Sequence, residues 1–317
     1  MTIKDVAKKA GVSISTASYA LNNRPNVHPD TKERILKAAE DLKYYPNAHA
    51  RNLKTKKSSN IGVFIYGFGG PIFSDLLEGI NLSLQKKDYN IIVSSGKASA
   101  VMLRERQVDG AIIFDNNITD EQIISYAKNH PVIVLDRRLE GENIYHTMIQ
   151  NDSLVYDFIT SMIERGYQKI SYLSGPSDAF NNQERYKGFT KALTDKSLKE
   201  FSYIQGDFTI GSGYQAGVEL AKQKQLPQMV YCANDELAIG LINALNEHGI
   251  HVPSQVAVAG FDGITLDEYI TPKLTTIEIN HMDWGRQIAG FLIRVINNKN
   301  VYPLTNPEAK VVYRESV

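Results

Sequence analysis

The chain has 317 residues, 43% of them hydrophobic, with 35 Lys and Arg against 35 Asp and Glu, a length that suits two or three domains. The neutral total hides an uneven distribution: residues 1–60 carry 12 basic and 5 acidic side chains, net +7, which leaves −7 for the remainder. One cysteine, Cys232, permits no intrachain disulfide and suits a reducing compartment, and no apolar run approaches the roughly 20 residues of a membrane span, so a cytoplasmic protein without a membrane partner is expected.

In chain order, residues 2–22 read TIKDVAKKAGVSISTASYALN. Thr2 and Asp5 have capping-box spacing, and Ile3, Val6, Ala7 and Ala10 share one face of the helix that follows. Gly11 ends it, because glycine supplies the positive φ of a tight corner, and Val12 plugs that corner. A second helix begins near residues 13–15, turning Ala17, Ala20 and Leu21 inward and Ser15, Thr16, Ser18 and Tyr19 outward. Small inward alanines let two helices cross closely, as a helix-turn-helix requires, and short polar side chains at the start of the second helix reach base edges in a major groove. An ordinary helical hairpin, whose Ser and Thr only cap, is the alternative. A third helix is expected after Pro29, opened by Asp30 with Glu33 in a capping box, with Ile35, Leu36, Ala39 and Leu42 closing a three-helix core. Then YYPNAHARNLKTKKS reads as a basic linker broken by Pro46, with a short helix over 48–53.

These two stretches resemble the head and hinge of the LacI/GalR (lactose repressor) family of transcriptional regulators over about 55 contiguous residues. The resemblance implies that Ile14, Ser15, Thr16, Ser18 and Tyr19 face the major groove, and that Leu53, with Ala50 beside it and Arg51 nearby, enters the minor groove at the operator centre. An apolar wedge there unstacks a base step and kinks the duplex. Two wedges imply a homodimer on a near-palindromic double-stranded operator. Tyr19 stands where many members carry Arg, which puts the usual half-site sequence in doubt.

From Asn60 the pattern changes. NIGVFIYG, NIIVSSG, DGAIIFD and PVIVLD read as strands, with amphipathic stretches near 73–87, 99–106 and 119–129; QKISYLSG, FSYIQ, MVYCAN and VAVAGF form a second series with helices near 152–165, 183–195, 211–224 and 235–248. Apolar strands alternating with helices indicate parallel sheets covered on both faces. The fold class expected is α/β: a three-helix helix-turn-helix head over 1–46, a hinge helix and linker over 47–58, and a two-lobed body over 59–317, with lobe 1 at about 59–150 and 281–308 and lobe 2 at about 151–280 and 309–317. Open α/β sheets bind ligands at the carboxyl ends of their strands, where Asp136, Asn234, Asp235 and Asp262 stand. Each is equally readable as a helix cap or turn former. Asp235 reads better as a helix N-terminal residue than as a ligand.

CANDELAIGLINALNEHGIHVPSQVAVAGFDG and LTTIEINHMDWG extend the resemblance to the family's effector-binding core, which is similar to periplasmic sugar-binding proteins. It implies a carbohydrate-type effector held by Phe73, Asp136, Arg185, Asn234, Asp262, His281 and Trp284, with Arg185, Asn234 and Asp262 as a polar clamp and Phe73 and Trp284 as apolar faces. Trp284 as plain core, and His281 as a cap or packing residue, stay open beside those roles. Two departures qualify the match: SGKASAVMLRERQVDG is short, so the second helix of lobe 1 is expected to be truncated, and Ile279 replaces a commonly polar crossover residue. GFGG at 67–70 lacks dinucleotide and P-loop spacing, and no HExxH or GxSxG occurs, so no catalytic residue, cofactor or metal site is expected. The reading is a repressor whose operator affinity follows a small molecule between the lobes; the alternatives are control by a phosphocarrier protein corepressor, or a solute-binding protein.

Overall fold

The computed structural model describes residues 1–22, 24–45, 57–105, 107–299 and 302–317. The chain divides into two compact units, Met1–Ser58 and Ser59–Val317. The expected hinge positions Ala50, Arg51 and Leu53 lie outside the described residues.

The first unit is three helices, α1 (Ile3–Lys9), α2 (Ile14–Leu21) and α3 (Pro29–Asp41). The Asp5 carboxylate accepts from the Thr2 backbone N–H at 2.7 Å and from its hydroxyl at 3.0 Å, which fixes the start of α1. Gly11 takes φ +63° with open space around the position a Cβ would occupy, so conformation and not crowding requires glycine there. Ser13 caps α2 by accepting from Thr16 N–H at 3.1 Å. Two expectations need correction. No Asp30–Glu33 capping box forms: α3 begins at Pro29, whose missing N–H costs nothing at the first helical position, and Asp30 lies inside the first turn, where its charge suits the helix dipole. Leu36 is 46% exposed; the inward stripe is Ile35, Ala38, Ala39 and Leu42, and Leu36 lies about 100° around the helix from Ile35.

The second unit holds two sheets. The first is built from β1 (Asn60–Ile65), β2 (Asn90–Ser95), β3 (Gly110–Phe114), β4 (Val132–Leu135) and β5 (Ile144–Thr147) in the parallel order β2-β1-β3-β4-β5. It is flanked by α4 (Pro71–Gln85), α5 (Lys97–Arg104) and α6 (Asp120–Ala127). At eight residues, α5 is short. The chain crosses at 148–150 to α7 (Asn151–Glu164), β6 (Ile170–Leu173), α8 (Phe180–Asp195), β7 (Tyr203–Ile204), α9 (Ile210–Ala221), β8 (Met229–Cys232), α10 (Asp235–Glu247), β9 (Ala257–Asp262) and β10 (Thr275–Ile279). It then returns through Asn280 to α11 (His281–Ile296) on the first sheet, and comes back to the second as β11 (Ala309–Val312). The second sheet has order β11-β10-β9-β8-β6-β7, parallel except for the β10–β11 pair.

The strands β5, β10 and β11 are absent from the apolar runs read off the sequence. IYHT and AKVV are short and mixed, and they form strands because a neighbouring edge pairs with them. The helices α4 and α11 meet backbone to backbone: a Cβ at Gly79 would collide with the Met282 carbonyl, and one at Gly285 with that of Leu76. No helix among the described residues is long and apolar enough to cross a membrane.

Candidate DNA interface and effector cleft

On the first unit, α2 buries Ala17 and Ala20 and leaves Ile14 (47%) and Tyr19 (45%) open, with Ser15 exposed and Thr16 and Ser18 half-buried. The Thr16 hydroxyl is hydrogen-bonded to that of Ser13 at 2.8 Å. Lys4, Lys8, Lys9 and Arg24 are exposed on the same unit. A helix start offering hydroxyls, one phenol and one aliphatic side chain has the chemistry to meet base edges and thymine methyls, while lysines meet phosphates.

In the second unit Tyr66 and Asp136, after strands of the first sheet, stand in the field of Arg185 and Asp262 of the second, and the space among these residues is the candidate cleft. Arg185, in the second turn of α8, is 2% exposed. Its Nε donates to Asn151 Oδ1 at 2.8 Å, Nη1 to the Ala233 carbonyl and Nη2 to Asp262 Oδ1 at 3.2 Å, and its guanidinium lies 3.7 Å from the centroid of the Phe261 ring. Asp262 closes β9 at φ +116°, and Asp136 follows β4 at φ +49°; Asp136 Oδ1 accepts from Ile149 N–H at 3.0 Å. Burial pushes both carboxyls up to about 6, against the pull of Arg185. His281 is 6% exposed with Nε2 unpartnered, and burial, then the Arg185 charge, hold it down near 4.

The structure places the other expected residues differently. Asn234 is the cap of α10: Oδ1 accepts from Leu237 N–H and Nδ2 donates to the Phe208 carbonyl, both at 3.0 Å. Trp284 is 1% exposed, edge-on to Phe114 at 6.5 Å, with its indole N–H on Thr147 Oγ1 at 3.2 Å; it is core and offers no open face for stacking. Phe73 is 2% exposed and lies edge-on to Tyr66 at 5.0 Å. Tyr66, which the sequence did not single out, supplies the open ring at 54% exposure. Its pKa is pushed up to about 12, first by desolvation and then by the charge of Asp262, with Arg185, Asp136 and Glu236 also in its field. Glu236 reaches across the cleft, its Oε2 3.8 Å from where a Cβ on Gly70 would stand. Asp235 is wholly buried and accepts from Gly263 and Ile264 N–H and from Thr276 Oγ1, a brace for the loop after β9, in line with its reading as a helix N-terminal residue.

Residues 2–47 match the family described as "Bacterial regulatory proteins, lacI family", and residues 159–317 match the "Periplasmic binding protein-like domain". The HTH-type transcriptional repressor PurR of Proteus mirabilis (strain HI4320) is 32% identical over 330 aligned positions, covering 100% of this chain and 96% of its own. The chain belongs to the LacI family of transcriptional regulators. Among solved structures, the lac repressor dimer bound to operator and the anti-inducer ONPF superposes with TM-score 0.84 at 26% identity, covering 100% of this chain and 98% of that one. A sugar-binding LacI-family regulator from Enterococcus faecalis gives 0.72 at 32% identity, covering 81% and 97%.

The cleft of this LacI-family chain carries a testable pH signature. Asp136 holds its proton up to about pH 6 when folded, against 3.8 ordinarily. The folded state therefore binds the extra proton between these values, and stability falls as pH rises through that window; above about 6 the penalty is fully present. His281 works oppositely, losing stability as pH falls from 6.5 toward 4. Replacing Asp136 with Asn removes only the first effect. By denaturant unfolding, the unfolding free energy of Asp136→Asn should exceed that of wild type by a margin that widens from about pH 4.5 to 7.5, reaching at most about 3 kcal/mol; a constant margin would contradict the desolvation of this carboxylate.

Proposed function

We propose that the protein is a cytoplasmic repressor that binds a near-palindromic operator as a homodimer and answers to a sugar or sugar derivative in the cleft. The observation that carries this reading is the buried Arg185–Asp262 pair beside Asp136, with the open ring of Tyr66 among them. Fixed charged donors and acceptors bind paired hydroxyls, and a half-exposed aromatic ring offers a face to the less polar side of a sugar. The enterococcal relative carries "sugar-binding" in its description, and the lac repressor was captured with operator and an anti-inducer, which supports both partners. On the DNA side the reading assigns Ile14, Ser15, Thr16, Ser18 and Tyr19 to the major groove, and Leu53 with Ala50 and Arg51 to the minor groove.

The test has two arms. A duplex recovered by selection from a random pool is bound by the full chain while a panel of monosaccharides, disaccharides and sugar phosphates is titrated in, with a phosphocarrier protein as the competing arm. At least one sugar should change operator affinity, by about 5- to 150-fold for ordinary allosteric coupling; a response to the phosphocarrier alone would replace the sugar reading. Leu53→Ala should weaken the selected duplex while leaving affinity for random duplex unchanged, because a wedge acts only where the base step can be kinked. Equal loss on both duplexes would remove the wedge assignment.

A further inference from the structure

The cleft residues of the two lobes are joined through the backbone that links them. Asp136 belongs to the first lobe, and its backbone N–H extends the β4–β5 ladder by donating to Thr147 O at 3.2 Å. Its Oδ1 takes the N–H of Ile149, in the crossover at 148–150, at 3.0 Å. The carbonyl of that same residue accepts from Asn151 Nδ2 at 3.3 Å, and Asn151 Oδ1 accepts from Arg185 Nε at 2.8 Å. Arg185 continues to Asp262 and to the Ala233 carbonyl at the ends of β9 and β8. The middle of the chain is sealed, with Ile149 5%, Asn151 2% and Arg185 2% exposed. The end of β5 and the crossover after it are tied to the chain between α11 and β11, since Thr147 Oγ1 donates to Thr305 O at 2.9 Å and Met148 N–H to Asn306 Oδ1 at 3.2 Å.

We infer that Asn151 is a positioning residue that, with Asp136 and the Ile149 peptide, forms a relay coupling the contents of the cleft to the angle between the lobes. The inference rests on the cleft reading above and adds its means of transmission. Asn151 uses a donor on one side and an acceptor on the other at the same time; a carboxylate in its place would hold Arg185 but have no proton for Ile149 O. Buried donors and acceptors lose heavily when left unpaired, so the relay moves as a unit or breaks at one link. A lobe rotation about the crossovers changes the separation of Asp136 from Arg185, and the Ile149 peptide is the point where that change is felt. A ligand that draws on Asp136 from one lobe or on Arg185 from the other therefore biases the same peptide, which is the differential interaction that a population shift needs.

The test uses the full chain and the duplex selected from a random pool, with no effector required. Asp136→Ala breaks the link to Ile149 N–H and Asn151→Ala breaks those to Ile149 O and Arg185, and each should speed amide exchange in the peptide covering 144–154 and shift operator affinity in the same direction by about 3- to 30-fold. Links in series break once, so the double variant should match the more affected single variant. If Asn151→Ala fails to fold, Asn151→Asp, which keeps Arg185 paired and lacks the donor, takes its place. Effects that multiply in the double variant, or loosened exchange with unchanged operator affinity, would each overturn the relay. Any of these leaves the cleft reading standing, because that reading falls only when no sugar shifts the operator affinity of the wild-type chain.

Discussion

Replacing Arg185 with alanine should lower the unfolding free energy of the body by roughly 3–5 kcal/mol, the usual consequence of removing one partner of a buried ion pair. Arg185 and Asp262 are 2% and 6% exposed, and their contact is 3.2 Å. The substitution leaves Asp262 buried without its counter-charge, and it also leaves Asn151 Oδ1 and the Ala233 carbonyl without the donors they hold now. Asp262 already sits near 6 with the arginine in place, so without it the carboxyl should stay protonated to still higher pH and recover part of the loss. The measurement is urea unfolding of the body, read at neutral pH and again near pH 5, with the deficit smaller at the lower pH. Removing both charges together, as Arg185→Met with Asp262→Leu, should cost far less than Arg185→Ala, since no lone charge remains. A single variant no worse than the double would mean that the pair is not buried as described. The head should be untouched: its helices close on their own core, so binding to random duplex, driven by its charge, should survive.

Operator affinity should fall about a thousandfold or more between roughly 50 and 200 mM salt, the behaviour of a protein that neutralises 6–10 phosphates. The neutral composition of the whole chain conceals the reason. Residues 1–60 carry a net +7, and Lys4, Lys8, Lys9 and Arg24 are exposed around a helix pair whose outward face holds no acidic side chain on α2. Each phosphate neutralised releases condensed counterions, which makes the logarithm of affinity linear in the logarithm of salt. Lys8→Gln should weaken specific and random duplex alike and reduce the slope by about 1, whereas Tyr19→Ala should act mainly on the selected sequence and leave the slope unchanged. A flat salt dependence would mean that the basic surface is only solvated.

Much of this was legible in the residues themselves, and the division follows the range of the forces involved. Ala17 and Ala20 turning inward while Ile14 and Tyr19 stay out follows from helical period, as do the strands whose apolar runs are buried on both faces. Leu36 and Ile35 look alike in sequence, but two adjacent apolar residues cannot both lie at the centre of one helical stripe, and only packing against α1 and α2 selects Ile35. Arg185 and Asp262 were identifiable through family resemblance, but their contact spans 77 positions and no local pattern contains it. Trp284 and Asn234 show the same limit: their polar edges are taken by Thr147, 137 positions away, and by the Phe208 carbonyl, 26 away. Tyr66 and Asn151 look ordinary in sequence, one closing a strand and the other opening a helix. Local periodicity determined which residues build the elements. Which polar groups are consumed by distant backbone, and which are left facing the cleft, was decided by tertiary packing alone, because a hydrogen bond depends on who is near in space and not on who is near in the chain.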